Sequence, residues 1–70
     1  MIRTRVTSSN LVSVGYDSTS MLLEIEFSAN SIYQYSGVPD HIHRGLMNSS
    51  SKGSYFHNNI KDHYATRKIS

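Results

Sequence analysis

Met21-Leu22-Leu23-Glu24-Ile25-Glu26-Phe27 decides the fold. Met21, Leu23, Ile25 and Phe27 occupy alternate positions, with Glu24 and Glu26 between them, so an extended chain turns one apolar face and one charged face to its surroundings. This is a strand with a single buried side, and Glu24 and Glu26 are expected in water. Upstream, Val12, Val14 and Tyr16 alternate with Ser13 and Gly15 in the same period. The small polar run Asp17-Ser18-Thr19-Ser20 between the two reads as a hairpin turn. Downstream, Ile32-Tyr33-Gln34-Tyr35 is rich in strand formers and stops at Ser36-Gly37. The expectation is a three-stranded antiparallel meander.

The loop before the third strand sets the register. A three-residue turn at Ser28-Ala29-Asn30 pairs Phe27 with Ser31 and places Tyr33 and Tyr35 on the apolar face. A two-residue turn at Ala29-Asn30 would pair Phe27 with Ile32 and place both rings beside Glu24 and Glu26. The longer turn is favoured, because it needs a positive φ only at Asn30, whereas the shorter one demands it early, where Ala29 resists. Tyr33 and Tyr35 are therefore read as core rather than as a stacking platform for unpaired bases.

Two short helices follow. Pro39 suits a first helical turn, Asp40 suits its positive end, and Ile42 and Leu46 stand one turn apart, which predicts a helix over 39–48. Gly45 weakens it by about 1 kcal/mol relative to alanine. Asn48 to Gly53 interrupts the pattern, and Ser54 is placed as the cap of a second helix carrying Phe56, Ile60 and Tyr64 to near residue 64. The tail from Ala65 to Ser70 has no periodicity and reads as a short strand or a frayed end. The economical arrangement is α+β, the meander covered on one face by the two short helices. Its expected core is Val12, Val14, Leu23, Ile25, Phe27, Ile42, Leu46, Phe56 and Ile60.

Seventy residues allow one modest domain, and the absence of cysteine excludes disulfides and thiolate metal sites. No stretch has the roughly 18 apolar residues of a membrane span, which points to a cytoplasmic module that meets no membrane. The net charge is +2. Residues 6–43 carry Asp17, Glu24, Glu26 and Asp40 without a Lys or Arg, whereas residues 44–70 carry Arg44, Lys52, Lys61, Arg67 and Lys68 against Asp62 alone. The basic helical half is a candidate surface for an anionic partner.

The ordered set Ser8-Ser9-Asn10, Gly15-Tyr16-Asp17, Tyr33-x-Tyr35, Val38-Pro39 and Ser51-Lys52-Gly53-Ser54-Tyr55-Phe56 before Ile60 resembles the KTSC domain. That family is a short module found alone in bacterial and phage proteins and at the C-terminus of some lysyl-tRNA synthetases. The resemblance covers residues 6–68, with 1–5 as an N-terminal arm. Asn30 departs from a glycine common among relatives but tolerates the same left-handed conformation. For function, the resemblance implies RNA binding.

The candidate nucleic-acid residues are Arg44, Lys52, Lys61, Arg67 and Lys68 for phosphates, with Tyr55 and Tyr64 for stacking on bases. Lys52, Gly53 and Ser54 form a candidate anion site, because a lysine and open backbone N–H groups stand together at a helix start. The alternative there is a plain helix connector. His41 and His43 diverge on a helix, and His57 and His63 are six apart, so neither pair has ligand spacing and no metal or other cofactor is expected. Ser54, His57 and Asp62 lack any oxyanion hole, so no catalysis is expected either. The reading is a non-catalytic module that binds RNA weakly. The rival is a protein-interaction or accessory module, phage-related in one version, and either leaves the oligomeric state open.

Overall fold

The computed structural model describes residues 1–70 and folds them into one antiparallel sheet of five strands rather than three. β1 (Arg3–Arg5), β2 (Leu11–Asp17), β3 (Leu22–Phe27), β4 (Ile32–Ser36) and β5 (Ala65–Lys68) lie side by side in chain order. α1 (Asp40–Asn48) and α2 (Lys52–Asn59) come between β4 and β5 and cover one face. The two extra strands are Arg-Thr-Arg and Ala-Thr-Arg-Lys, with no apolar alternation to betray them. They are held at the edges by ladder hydrogen bonds, which sequence periodicity does not report.

β2 carries the principal surprise. Leu11 stands opposite Phe27, but Ser13 stands opposite Glu26, so the strand bulges between them. A bulge inserts one residue against none on the partner and flips the alternation at that point. Leu11 therefore joins Val14 in the core, only 2% exposed, while Val12, expected inside, lines a pocket on the outer face with Arg3, Ser13 and Glu26. Met21 is corrected too. It sits in the turn before β3 at φ 55° and is 39% exposed, rather than opening the strand.

The β3–β4 turn takes the three-residue form, with the Phe27 N–H donating to the Ser31 carbonyl at 2.8 Å and Asn30 at φ 65°. Tyr33 lies opposite Ile25 and Tyr35 opposite Leu23, both on the helix side, with Tyr35 buried and Tyr33 half-buried. The core holds Leu11, Val14, Leu23, Ile25, Tyr35, Val38, Leu46 and Ile60. Phe27, Ile42 and Phe56, expected at its centre, are half-buried and pack around its rim.

α1 matches the expected span with Pro39 at its cap position. α2 starts two residues before Ser54, with Ser51 at the cap, and stops at Asn59. The Ile60 and Lys61 N–H groups both donate to the Phe56 carbonyl at 2.9 Å, and Asp62 at φ 66° turns the chain into β5. Tyr64 is thus off the helix, although it still packs against the core.

Glu24 is the other correction. The face away from the helices is not simply wet, because β1 lays Arg3 across it beside Gly15, Glu24 is only 6% exposed and Glu26, also expected in water, is half-buried. Arg3 is ion-paired to Glu24, Gln34 Nε2 donates to the same carboxylate at 2.9 Å, and Ser13 Oγ donates to Glu26 at 2.8 Å. Burial pushes the Glu24 carboxyl up, but the hydrogen bonds from Gln34 and Arg3 and the arginine's charge outweigh it and hold the group below its usual range.

Candidate nucleic-acid interface

Two polar loops meet at the start of α2. Ser8 Oγ accepts from the N–H groups of Asn10 and Leu11 at 3.3 Å, which turns the chain tightly into β2. On the other side the Ser51 N–H donates to Ser49 Oγ at 3.1 Å, and Lys52 Nζ donates to the Ser49 carbonyl at 3.0 Å. Thr7–Asn10 and Ser50–Ser54, with His57 and Asn58, enclose a pocket of about 480 Å³ without a hydrophobic residue in its lining. Gly53 lets the two walls approach, since a Cβ there would stand 3.3 Å from Asn10 Nδ2.

No side chain caps α2, and its first backbone bond runs from the Tyr55 N–H to Ser51. The N–H groups of Lys52, Gly53 and Ser54 thus have no acceptor within the helix, and all three residues line the pocket. The candidate anion site coincides with this pocket. The sequence reading missed its other wall, Thr7–Asn10. Its signals were a small polar run that no hairpin used and the place of Ser8-Ser9-Asn10 in the family resemblance.

The candidate cations divide. Lys52 is in the polar pocket, and Lys61 borders the apolar pockets beyond it. Lys68 stands opposite Tyr33 on the helix side of the sheet. Arg67 is opposite Gln34, on the face away from the helices, and Arg44 is paired with Asp40 at 2.8 Å one turn back in α1. Tyr55 and Tyr64 are half-buried against the core, and the Tyr55 ring occupies the space that a side chain at Gly45 would need. These two rings are engaged in packing.

Ser54 and His57 share the polar pocket, but Asp62 lines an aromatic groove at the far end of α2. The His43 ring stacks on Tyr16 with centroids 4.4 Å apart. Its Nδ1 is buried without a hydrogen-bond partner, and burial pushes the imidazole down despite the pull of Asp40. Tyr16 Oη donates to the Val38 carbonyl at 2.6 Å, tying the stack to the core. Burial beside Tyr33 pushes the Tyr35 phenol up to about 12.

No helix is long and apolar enough to cross a membrane. Among known proteins, a crystal structure of a KTSC domain protein from Yersinia pestis is 42% identical and superposes with a TM-score of 0.96, over 99% of this chain and 97% of that one. A protein of Stutzerimonas stutzeri is 38% identical over 99% of both chains. A lysine–tRNA ligase of Trichormus variabilis is 40% identical over 55 residues, which is 79% of this chain but 10% of the ligase, and one of Nostoc punctiforme is 34% identical over the same shares. The model of the KTSC domain matches residues 7–64, and this chain belongs to the KTSC domain family.

Proposed function

We propose that this chain is a small non-catalytic cytoplasmic module that binds RNA weakly through its phosphates. The observation that carries this reading is the polar pocket, where Lys52 and three uncapped helix amides stand among hydroxyls and carboxamides with no apolar lining. That chemistry suits a phosphate, which accepts hydrogen bonds and favours the positive end of a helix. Lys61 and Lys68 lie on the same side of the sheet and add charge along the backbone path. Lysine–tRNA ligases carry a stretch similar to this chain, which supports RNA as the source of the phosphate.

Three phosphate contacts at Lys52, Lys61 and Lys68 give a slope of log affinity against log salt near −2, from about −0.7 per contact on a single strand. Between about 20 and 200 mM salt, affinity for single-stranded RNA and transfer RNA should therefore fall around a hundredfold by fluorescence anisotropy. The double variant Lys52→Glu, Lys61→Glu should bind all sequences more weakly and flatten that slope, because phosphate contacts do not read bases. Absent binding at the lowest salt, or an unaffected double variant, would hand the function to the protein-interaction reading.

A further inference from the structure

Three pockets lie end to end along one side of α2. The polar pocket shares Asn10, Gly53 and His57 with a second one of about 360 Å³. That one shares Phe27, Phe56 and Lys61 with a third, of about 390 Å³, which reaches Tyr33, Tyr35 and Asp62. Gly53, Phe56 and His57 share one flank of α2 and Lys61 follows in the turn just past its end, so that flank and the turn together form one wall throughout. The result is one groove whose lining changes along its length. It starts among serines, an asparagine and Lys52, and it ends among aromatic rings.

Charge is distributed along the same path. Lys52 stands at the polar end, Lys61 at the junction of the second and third pockets, and Lys68 beside Tyr33 on the neighbouring edge strand. Asp62, at the aromatic end, disfavours a phosphate there and leaves that end to an uncharged group. Phe27 and Tyr33 meet edge to face with centroids 5.7 Å apart, and both are half-buried, so each keeps some ring surface in the open.

We propose that this groove holds a short stretch of single-stranded RNA along α2, one phosphate seated in the polar pocket and a base against Phe27 and Tyr33. The inference rests on the RNA reading above and deepens it by fixing the path and the strand state. Bases in a duplex are stacked on each other and unavailable to protein rings, whereas an unpaired base has a face to offer. An apolar peptide fits less well, because half of the groove offers it nothing to bury.

The test is an NMR titration of the intact protein with three probes: inorganic phosphate, cytidine, and a 5′-phosphorylated hexacytidylate. Phosphate should move only the amides of Ser9, Asn10 and Gly53, cytidine only the ring signals of Phe27 and Tyr33, and the hexanucleotide both sets at lower concentration. Charge reversals separate the groove from general attraction. Lys61→Glu and Lys68→Glu should each weaken hexanucleotide binding about fivefold, the upper range for one exposed charge pair. Arg44→Glu and Arg67→Glu make the same change in net charge off the groove and should weaken it less than twofold. If the oligonucleotide binds but moves another face, or if all four reversals weaken it equally, the groove is wrong while RNA binding stands. If neither the hexanucleotide nor transfer RNA binds, both readings fall.

Discussion

α1 has nine residues and α2 eight, yet they relate to the core in opposite ways. α1 buries Leu46 completely and sets Ile42 at the rim, so one side of it is enclosed. α2 has no fully buried residue within its span and reaches the core through Phe56, whose ring meets Phe27 and Tyr35 edge to face. Ile60, which is fully buried, follows just beyond its end. Propensity does not separate the two, since Gly45 stands in α1 as Gly53 does in α2. α1 serves the core, and α2 walls the polar pocket.

The sharpest break between them is expected at Leu46. Leu46→Ala removes a fully buried side chain and should cost about 3 kcal/mol, within the usual 2–5 for such a cavity, read as a lower urea midpoint. Where the variant remains folded, its affinity for RNA should match the parent's. Coupled loss of binding in the folded state would show that α1 belongs to the site after all.

The contact between the helices gives the next effect. An alanine at 45 gains up to about 1 kcal/mol of helix propensity, but its Cβ would run into the Tyr55 ring, and crowding of that kind costs about 1–3 kcal/mol. Gly45→Ala should therefore destabilise by about 1 kcal/mol, against its propensity. In a Tyr55→Ala background the same change should stabilise. A change of sign between the two backgrounds is the measurement, and equal effects would remove Tyr55 from the account.

Acid should also act through α1. Because burial lowers the folded-state pKa of His43, the group contributes stability above its unfolded value near 6.5, and that contribution is lost as pH falls through the lower folded value. Glu24, also lowered, keeps its contribution until pH drops below about 4.5, so the window from pH 7 to 5 lies clear of that carboxylate. The urea midpoint should decline across that window in the parent and hold steadier in His43→Phe, which preserves the stack on Tyr16 without a proton to take up. A parallel decline in both would place the acid sensitivity elsewhere.

What the sequence revealed follows the same division. β2, β3 and β4 alternate apolar and polar residues because one face is sealed by helices, and α1 carries Ile42 and Leu46 for the same reason. Those elements were legible, as was the turn at Asn30. β1 was not, and β5 was legible only as one of two readings of the tail, since an edge strand of Arg, Thr, Lys and Ala is stabilised by backbone pairing that leaves no pattern in side chains. Val12 and Leu11 exchanged places because a bulge is invisible to a count of alternate positions. In the candidate site, Lys52, Gly53 and Ser54 stand out by local chemistry, and all three line the polar pocket. The facing wall at Thr7–Asn10 does not stand out in that way, because it meets them only through the fold.

The smallest effect on stability should come from Gly53, and it bears most directly on the comparison. An alanine there would place its Cβ 3.3 Å from Asn10 Nδ2, a side-chain atom at the end of a rotatable arm that needs to give only a few tenths of an ångström. The crowding is set against a gain of up to about 1 kcal/mol in helix propensity, so the net change should stay within about 0.5 kcal/mol, as for most partly exposed positions. The added methyl nevertheless enters the polar pocket where the two loops come closest, and it displaces the carboxamide that lines the opposite wall. Gly53→Ala should accordingly leave the urea midpoint almost in place while weakening RNA binding at low salt. Gly45→Ala should do the reverse, costing stability and sparing affinity. If Gly53→Ala binds as the parent does, the pocket at the start of α2 is a connector between helices, and the contrast drawn between α1 and α2 loses its functional half.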